Sequence, residues 1–367
     1  MTRQVVTVNA GASTLKLALL EVAAKGCQER RHTELEWAPA DHPGATVSEA
    51  LSGLEATPDA FGFRVVHGGR DFVDPVTLSE AVEHRLEQLI SLAPLHNGPA
   101  LAAIREVRRQ HPHLPAVAVF DTAFHARRPE VSMRYALPNP MVERFDIRRY
   151  GFHGLAHASL VMALAEAQGV PAERVNAVTL QLGAGCSACA VRNGRSIETS
   201  MGYTPLEGLV MSTRSGDVDP AIVVRLMREG LEAEQIEQEL TRRSGLLALS
   251  GYDDMRRVLA TASAGDARAQ FAVQLFCHRV VMTTGAYLTL LEGDGALVFG
   301  GGIGTNSPAI RQRVAQGLAA WDIRLDEERN ERNEPGPISA AGSRPVYALR
   351  TNEEAIIARA VVEHLGW

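Results

Sequence analysis

Residues 6–13 read VTVNAGAS and residues 178–185 read VTLQLGAG. In each, an apolar stretch rich in β-branched residues predicts a strand, and the small residues around a glycine predict a tight turn. A second strand pattern follows each turn. It is TLKLALLEV from Thr14, and CSACAVRNGRSIETS from Cys186 with a hairpin signal at Asn193-Gly194. One plan used twice predicts two similar domains, each opening on a hairpin. Eight residues of likeness make a weak repeat by themselves, so the surrounding pattern has to agree.

It does. FGFRVVHGG (61–69) and AVAVFDTAF (116–124) predict strands that end in glycine or polar groups. SEAVEHRLEQLISLA (79–93) predicts an amphipathic helix with Ser79 as N-cap, and LAHASLVMALAEAQG (155–169) a helix closed by Gly169. Residues 267–291 form a long apolar helix pattern, 295–321 read as strand, glycine-rich turn and helix, and 351–366 as a last helix entered through Thr351 or Asn352. Strands alternating with helices define an α/β class. The domain border falls near Arg148.

Composition narrows the function. The 367 residues are 46% hydrophobic and 22% charged with net charge −6, which gives no support to binding nucleic acid or an anionic membrane. No stretch of 18 uncharged apolar residues predicts a spanning helix, and MTRQVVTVNAG lacks the apolar core of a signal peptide. Four cysteines include the pair Cys186 and Cys189, but no second ligand pair follows at zinc-site spacing, and two small strand residues are the simpler reading. A cytoplasmic protein with free thiols is expected.

Asn9-Ala10-Gly11, Gly183-Ala184-Gly185 and Gly300 to Gly304 all lie at predicted strand C-terminal ends. Open α/β sheets bind ligands there, and glycine lets backbone N–H groups approach a phosphate closely. Neither a GxxxxGK[ST] loop nor a GxGxxG fingerprint is present. Glu198 to Pro220, ETSMGYTPLEGLVMSTRSGDVDP, has no periodicity, yet it carries apolar residues together with Arg214, Asp217 and Asp219. An ordered loop that presents a cation to an anion fits this composition. Further charged candidates are Lys16, Arg64, His67, His96, Asp121, His125, His153 and Glu353. Individually each has a plain reading: Lys16 as a solvated strand lysine, His153 as a structural histidine. Their recurrence at strand ends is what points to a site. Cations without an evident nucleophile suit phosphoryl transfer, in which positioned Arg, His and Mg²⁺ do most of the catalysis.

The motifs VNAGASTLK (8–16), RVVHGG (64–69), LAPLHN (92–97), FDTAFH (120–125), YGFHG (150–154), TSMGYTPLEGL with TRSGDVDP (199–220), SGLLALSG (244–251), GGIGTNS (301–307) and TNEE (351–354) span nearly the whole chain. On them the chain resembles acetate kinases, of the actin-like, sugar-kinase and Hsp70 ATPase superfamily. The resemblance implies two duplicated actin-like (ribonuclease H-like) domains with a cleft between them: residues 1–148, joined by the helix 352–367, and residues 149–351, which bind nucleotide. It implies a phosphotransferase with a carboxyl group as acceptor, making acetyl phosphate and ADP from acetate and ATP reversibly. Mg²⁺ is the implied metal, with Mn²⁺ an alternative, and a homodimer the implied assembly.

Carried over position by position, Asn9 and Glu353 would hold or orient the metal and Lys16 would face the nucleotide phosphates. Arg64 would bind the acetate carboxylate, beside Val66, Leu95, His96, Phe152 and Pro205. Asp121 would be the catalytic carboxylate, and His153 and Arg214 would stabilise the transferring phosphoryl group. Gln181, Leu182, Gly183, Ala184, Gly185, Asp254, Met255, Arg256, Gly302, Ile303, Gly304, Thr305 and Asn306 would surround the nucleotide. Val66 looks like the acetate-preferring members. One methylene is worth only ~1–3 kcal/mol in an apolar pocket, so propionate is expected to be a slower substrate.

The chain departs from the family where QLGAG (181–185) replaces the usual HLGNG, Thr305 the usual Glu, Ala12 a usual Ser, and Phe63 a usual His. It is also short between residues 22 and 60. Most of these changes fall on the nucleotide side, and they predict weaker ATP affinity or an altered donor, with acetate recognition retained. A propionate- or butyrate-preferring kinase, an enzyme with another phosphoryl donor, and a non-catalytic nucleotide or acyl-phosphate sensor are the alternatives. Keeping Asn9, Arg64, Asp121, His153, Arg214 and Glu353 together counts against the sensor.

Overall fold

The computed structural model describes residues 2–11, 14–24, 26–37, 43–54, 57–292 and 295–367, apart from the side chains of Pro43 and Leu95. It divides into two compact units: residues 1–127 with 152–159 and 352–367, and residues 128–151 with 160–351.

In the first unit, β1 (Arg3–Ala10), β2 (Thr14–Ala23), β3 (Gly26–Glu36), β4 (Ala60–Val65), β5 (Val76–Thr77) and β6 (Ala116–Phe120) form one sheet in the order β3-β2-β1-β4-β6-β5. The β1–β2 and β2–β3 pairs are antiparallel, and β1–β4 and β4–β6 are parallel. Side chains alternate between faces along a strand. Accordingly Val6, Val8, Phe61 and Phe63 enter one core, together with Val47, Leu101 and Ile104 of the helices Pro43–Leu54 and Pro94–Gln110. Val5, Ala60, Val117 and Val119 enter the other, against Ile357, Ala358 and Val361 of the helix Glu353–His364. That last helix lies so close that a Cβ on Gly62 would come within 2.7 Å of Ile357 Cγ2 and 2.8 Å of Val361 Cγ2.

In the second unit, β7 (Ala177–Leu182), β8 (Cys186–Arg192), β9 (Arg195–Thr199), β10 (Ala296–Gly300), β11 (Gly336–Pro337) and β12 (Val346–Ala348) form a sheet in the order β11-β12-β10-β7-β8-β9. Here β7–β8 and β8–β9 are antiparallel, and β10 is parallel to both β7 and β12. The series 9-8-7-10-12 repeats 3-2-1-4-6 strand for strand, and each sheet ends in a short antiparallel edge. The likeness of residues 6–13 and 178–185 is therefore a duplicated topology, with β1 matching β7.

Several helices follow their sequence signals. Ser79 caps Glu80–Gln88 through Val82 N–H at 3.3 Å, Gly169 follows the helix Gly154–Gln168 at φ 64°, and Asn352 caps the last helix through Ala355 N–H at 2.8 Å. Three elements differ from expectation. The pattern 79–93 stops as an α-helix at Gln88 and continues as a 3-10 turn over Ile90–Leu92. The glycine run after β10 is no turn, because Gly301–Asn306 is itself a helix, entered through Gly301 at φ 73°. Asp219 is the N-cap of Pro220–Arg228 and accepts from Ala221 N–H at 2.8 Å, so its carboxylate serves the helix. No helix among the described residues is long and apolar enough to cross a membrane.

Candidate active site

In the first unit, three parallel strands deliver polar groups at their C-terminal ends. Asn9 lies near the end of β1, Arg64 near the end of β4, and Asp121 directly after β6. The Arg64 guanidinium donates to both oxygens of Asp121 (Nε to Oδ1 3.2 Å, Nη2 to Oδ2 2.5 Å) and to Asn9 Oδ1 at 3.1 Å. Glu353, the first residue of the last helix, brings Oε2 within 3.6 Å of Arg64 Nε. One cation thus organises two carboxylates and a carboxamide.

The energetics follow from burial. The Asp121 side chain is 1% exposed and Arg64 19%. Burial opposes the charge on Arg64, but Asp121 and Glu353 more than compensate and hold its pKa above the usual value. Burial is also the largest influence on Glu353, raising its carboxyl from 4.5 to about 7 against the pull of Arg64, with Asp121 adding repulsion. For Glu353 the Arg64 guanidinium does not offset desolvation together with the repulsion from Asp121.

The groups beside this cluster are built into the same unit. Asp121 N–H donates to Val65 O at 3.0 Å, and Asp121 O accepts from Gly154 N–H at 3.0 Å, an approach that a Cβ on Gly154 would block. This fixes the YGFHG stretch, with His153 at φ 57°. Val66 and Phe152 are buried, and the Phe152 ring meets His67 edge-on at 5.4 Å. Asn97 clamps the backbone of His67, accepting from its N–H at 3.1 Å and donating to its carbonyl at 2.9 Å. The LHN motif therefore lies on a helix, with His96 half-buried there. The Leu95 side chain and Ala12 lie outside the described residues. Lys16 is half exposed and pairs with Glu34 on β3 at 3.1 Å.

In the second unit, a cavity of about 910 Å³ opens at the ends of β7 and β10. Its walls are Gly183, Ala184 and Gly185; Ser212, Thr213 and Arg214; Asp253 to Arg256 with Leu259; and Gly302, Ile303 and Asn306 to Ala309. Asp254 caps the helix Met255–Ser263 and binds Arg256, Nη2 to Oδ2 at 2.6 Å. Ser212 Oγ donates to Asp253 O at 2.6 Å and ties the two walls together. Leu182, Gly304 and Thr305 are buried outside the lining, where Thr305 Oγ1 donates to Leu349 O at 3.1 Å. Gln181 also lies outside it, its buried Oε1 without a hydrogen-bond partner among the described residues.

Two features carry no sequence motif of their own. Ser212, Asp253 and Leu259 join the lining through tertiary proximity; their only signal is nearness in sequence to Arg214 and Asp254. Arg311, fully buried, donates to Gly304 O at 3.0 Å and Thr305 O at 2.6 Å, and so closes the C-terminal end of the glycine helix.

Two arginines line this cavity, and while Arg256 is paired with Asp254, Arg214 is not. Its guanidinium donates to Pro205 O at 3.2 Å and approaches Met211 Sδ at 3.6 Å, and among the described residues no carboxylate pairs with it. Burial lowers its pKa, opposed by the Cys186 thiol. A desolvated guanidinium facing a glycine-rimmed cavity is suited to receive an anion. Cys186 and Cys189 are free and buried, and burial pushes each thiol up to about 12. Three positions apart on one strand, they face opposite sides of the sheet and do not form a ligand pair.

The acetate kinase of Leifsonia xyli subsp. xyli is 43% identical over 390 aligned positions covering 98% of either chain. The crystal structure of Porphyromonas gingivalis acetate kinase superposes with TM-score 0.88 at 32% identity, over 99% of this chain and 100% of that one. A propionate kinase from Francisella tularensis subsp. tularensis superposes with TM-score 0.87 at 34% identity, over 98% of each. A family model described as the Acetokinase family matches residues 44–359. The chain belongs to the acetokinase family.

Proposed function

We propose that the protein is an acetate kinase, transferring the γ-phosphoryl group of ATP to acetate to give acetyl phosphate and ADP, reversibly. The observation that carries this reading is Arg214, a half-buried guanidinium with no carboxylate partner among the described residues, on the wall of a cavity rimmed by Gly183, Gly185 and Gly302. Family membership supports the reaction type, a phosphotransfer with a carboxyl group as acceptor.

Acetate, with a pKa of about 4–5, is already ionised at neutral pH. One of its oxygens attacks the γ-phosphorus, the bond to the β,γ-bridging oxygen breaks, and ADP leaves with that electron pair. No proton has to move. Asp121, both of whose oxygens accept from one edge of Arg64, therefore acts by orienting charge and not as a general base. In this reading Arg64 is the cation for acetate, and Arg214 with His153 offsets charge on the transferring phosphoryl group. Lys16, paired with Glu34, would serve the phosphates only on leaving that partner.

The donor set fits Mg²⁺. Asn9 Oδ1, Asp121 and Glu353 are hard oxygen donors around one arginine. No group of three or more His, Cys, Asp or Glu side chains gathers among the described residues. Mg²⁺ is commonly held by one or two carboxylates, with waters and substrate phosphates completing its shell. When bound, it would neutralise phosphate charge; Mn²⁺ has the same donor preference.

The resemblance to acetate kinases favours a homodimer. Free cysteines support a reducing, cytoplasmic location. The likeness to a propionate kinase favours propionate as a second, slower acyl substrate.

The test is acyl phosphate formation trapped with hydroxylamine, crossing acetate, propionate and butyrate with ATP, GTP and pyrophosphate. Turnover fastest with acetate and ATP is expected. An ordinary KM for ATP would show that Gln181 and Ala184 do not weaken donor binding. Nucleotide binding without turnover on any pair would overturn the reading in favour of a sensor.

A further inference from the structure

Residues 200–219 run for twenty residues without helix or strand, and they include Pro205 and Arg214. A segment of this length keeps one shape only if side chains and close backbone contacts hold it. Two separate devices do so. The return limb is tied by the Asp217 carboxylate and by backbone pairing: Gly208 N–H donates to Asp217 Oδ1 at 2.8 Å, Asp217 N–H to Gly208 O at 3.0 Å, and Met211 N–H to Arg214 O at 3.2 Å. Gly216, at φ 71°, lies against Gly208 O and Leu209 O with no room for a Cβ.

The outgoing limb is anchored at Gly202, whose carbonyl accepts from Tyr150 N–H at 2.9 Å and Gly151 N–H at 3.2 Å, and beyond Gly202 it is held by one carboxylate. Glu207 accepts from the Tyr135 hydroxyl on Oε2 and from Arg149 Nη1 on Oε1. The same two partners grip the chain on the other side of the bend. Tyr135 Oη accepts from Tyr203 N–H at 2.9 Å, and Arg149 Nη2 donates to Thr199 O at 3.1 Å. Gly202 fits beneath them, and a Cβ there would collide with Glu207 Oε2 and Tyr135 Oη. Between Tyr203 and Glu207 stands Pro205, whose carbonyl accepts from Arg214.

We propose that Glu207 is a positioning residue for phosphoryl transfer: clamped by Tyr135 and Arg149, it sets the place of the Pro205 carbonyl and, through it, of the Arg214 guanidinium. The inference rests on the reading of Arg214 as the cation that meets the phosphoryl group. The backbone of Arg214 is held by the return limb, and its guanidinium by the outgoing limb. Loss of the Glu207 clamp therefore displaces the charged end of Arg214 more than it loosens the fold, and the defect falls on kcat.

The experiment is a double-mutant cycle of Glu207→Gln with Arg214→Ala, with Tyr135→Phe carried through the same cycle, reading kcat, both KM values and denaturant midpoints on the full chain. Glu207→Gln alone is expected to lower kcat by ~10- to 100-fold, the scale of a small misplacement of a catalytic group. In the Arg214→Ala background the same change should cost less than about twofold, because groups acting through one another are not additive. Tyr135→Phe should repeat this pattern with a smaller drop. Should Glu207→Gln fail to fold, the Tyr135→Phe cycle decides. Factors that multiply in the double variants, or single variants with wild-type kcat, would overturn the proposal. An Arg214→Ala enzyme with wild-type kcat would instead sink the reading of Arg214, and the inference with it.

Discussion

Glu353→Gln is expected to change how stability depends on pH. In the folded protein the Glu353 carboxyl is raised from 4.5 to about 7, mainly by burial, with the neighbouring Asp121 adding to it. The native state therefore holds a proton that the unfolded chain has released, and over that interval stability falls as pH rises. Below pH 4.5 both states are protonated and the penalty is absent; above 7 it is complete and constant. From 4.5 to about 7, at about 1.4 kcal/mol per pH unit, the full penalty is about 3 kcal/mol. Gln keeps the shape and cannot ionise. In urea titrations without divalent metal, the variant and wild type should have similar stability at pH 4.5, and the variant should be more stable by about 2–3 kcal/mol at pH 8. Millimolar Mg²⁺ should narrow that gap by stabilising the wild type alone, since the ionised carboxylate is the form that binds it. Parallel stability curves for the two proteins between pH 4.5 and 8 would refute the reasoning.

Arg214→Ala should lower kcat by about 100- to 1000-fold, the scale of removing one preorganised charge-stabilising donor, and raise the KM for ATP much less. Arg64→Ala should mainly raise the KM for acetate; comparable small effects on both parameters in both variants would count against these roles. Arg64→Ala also leaves Asp121 and Glu353 without their cation, so its denaturant midpoint should report a loss of about 3–5 kcal/mol. Gly62→Ala puts a methyl against the β-branched side chain of Ile357 and against Val361, and should destabilise by about 1–3 kcal/mol in the same assay; an unchanged midpoint would mean that the last helix shifts freely. Cys186 and Cys189 should resist a thiol reagent in the native protein and react on unfolding, and rapid native labelling of both would contradict their burial.

The sequence exposed the duplicated strands because β1 and β7 are buried along most of their length and carry their apolar residues in a strand pattern. It hid β3, GCQERRHTELE, because this edge strand is mostly exposed and has no apolar alternation; only pairing with β2 defines it. The helix Pro94–Gln110 was obscured by Gly98 and Pro99, which local propensity reads as breakers. Packing against β1 and β4 overrides them, with Leu101, Ile104 and Val107 buried. The glycine run after β10 read as a turn for the same reason. Among the site groups, Arg64, Asp121 and Arg214 stood out as charges in apolar or irregular surroundings. The clamp on Glu207 did not, because Tyr135 and Arg149 lie far from it in sequence and each is an ordinary surface residue type.

The two arginines differ in how their charges are met. Arg64 is satisfied before any substrate arrives: Asn9, Asp121 and Glu353 take its donors and keep its charge fixed at the strand ends. Such a group binds a small carboxylate weakly but places it reproducibly, since little has to reorganise. Arg214 is the reverse, half-buried and, among the described residues, held only by a carbonyl and a thioether. It gains most from an anion whose charge is spread over equatorial oxygens, as in the phosphoryl transition state. Binding energy realised there lowers the barrier, whereas the same energy spent on the ground state would only tighten ATP. If the two arginines play the proposed roles, acetate recognition and phosphoryl stabilisation can vary separately. On the proposed roles, changes on the nucleotide side, such as Ala184 in the glycine loop, are compatible with an intact acyl side.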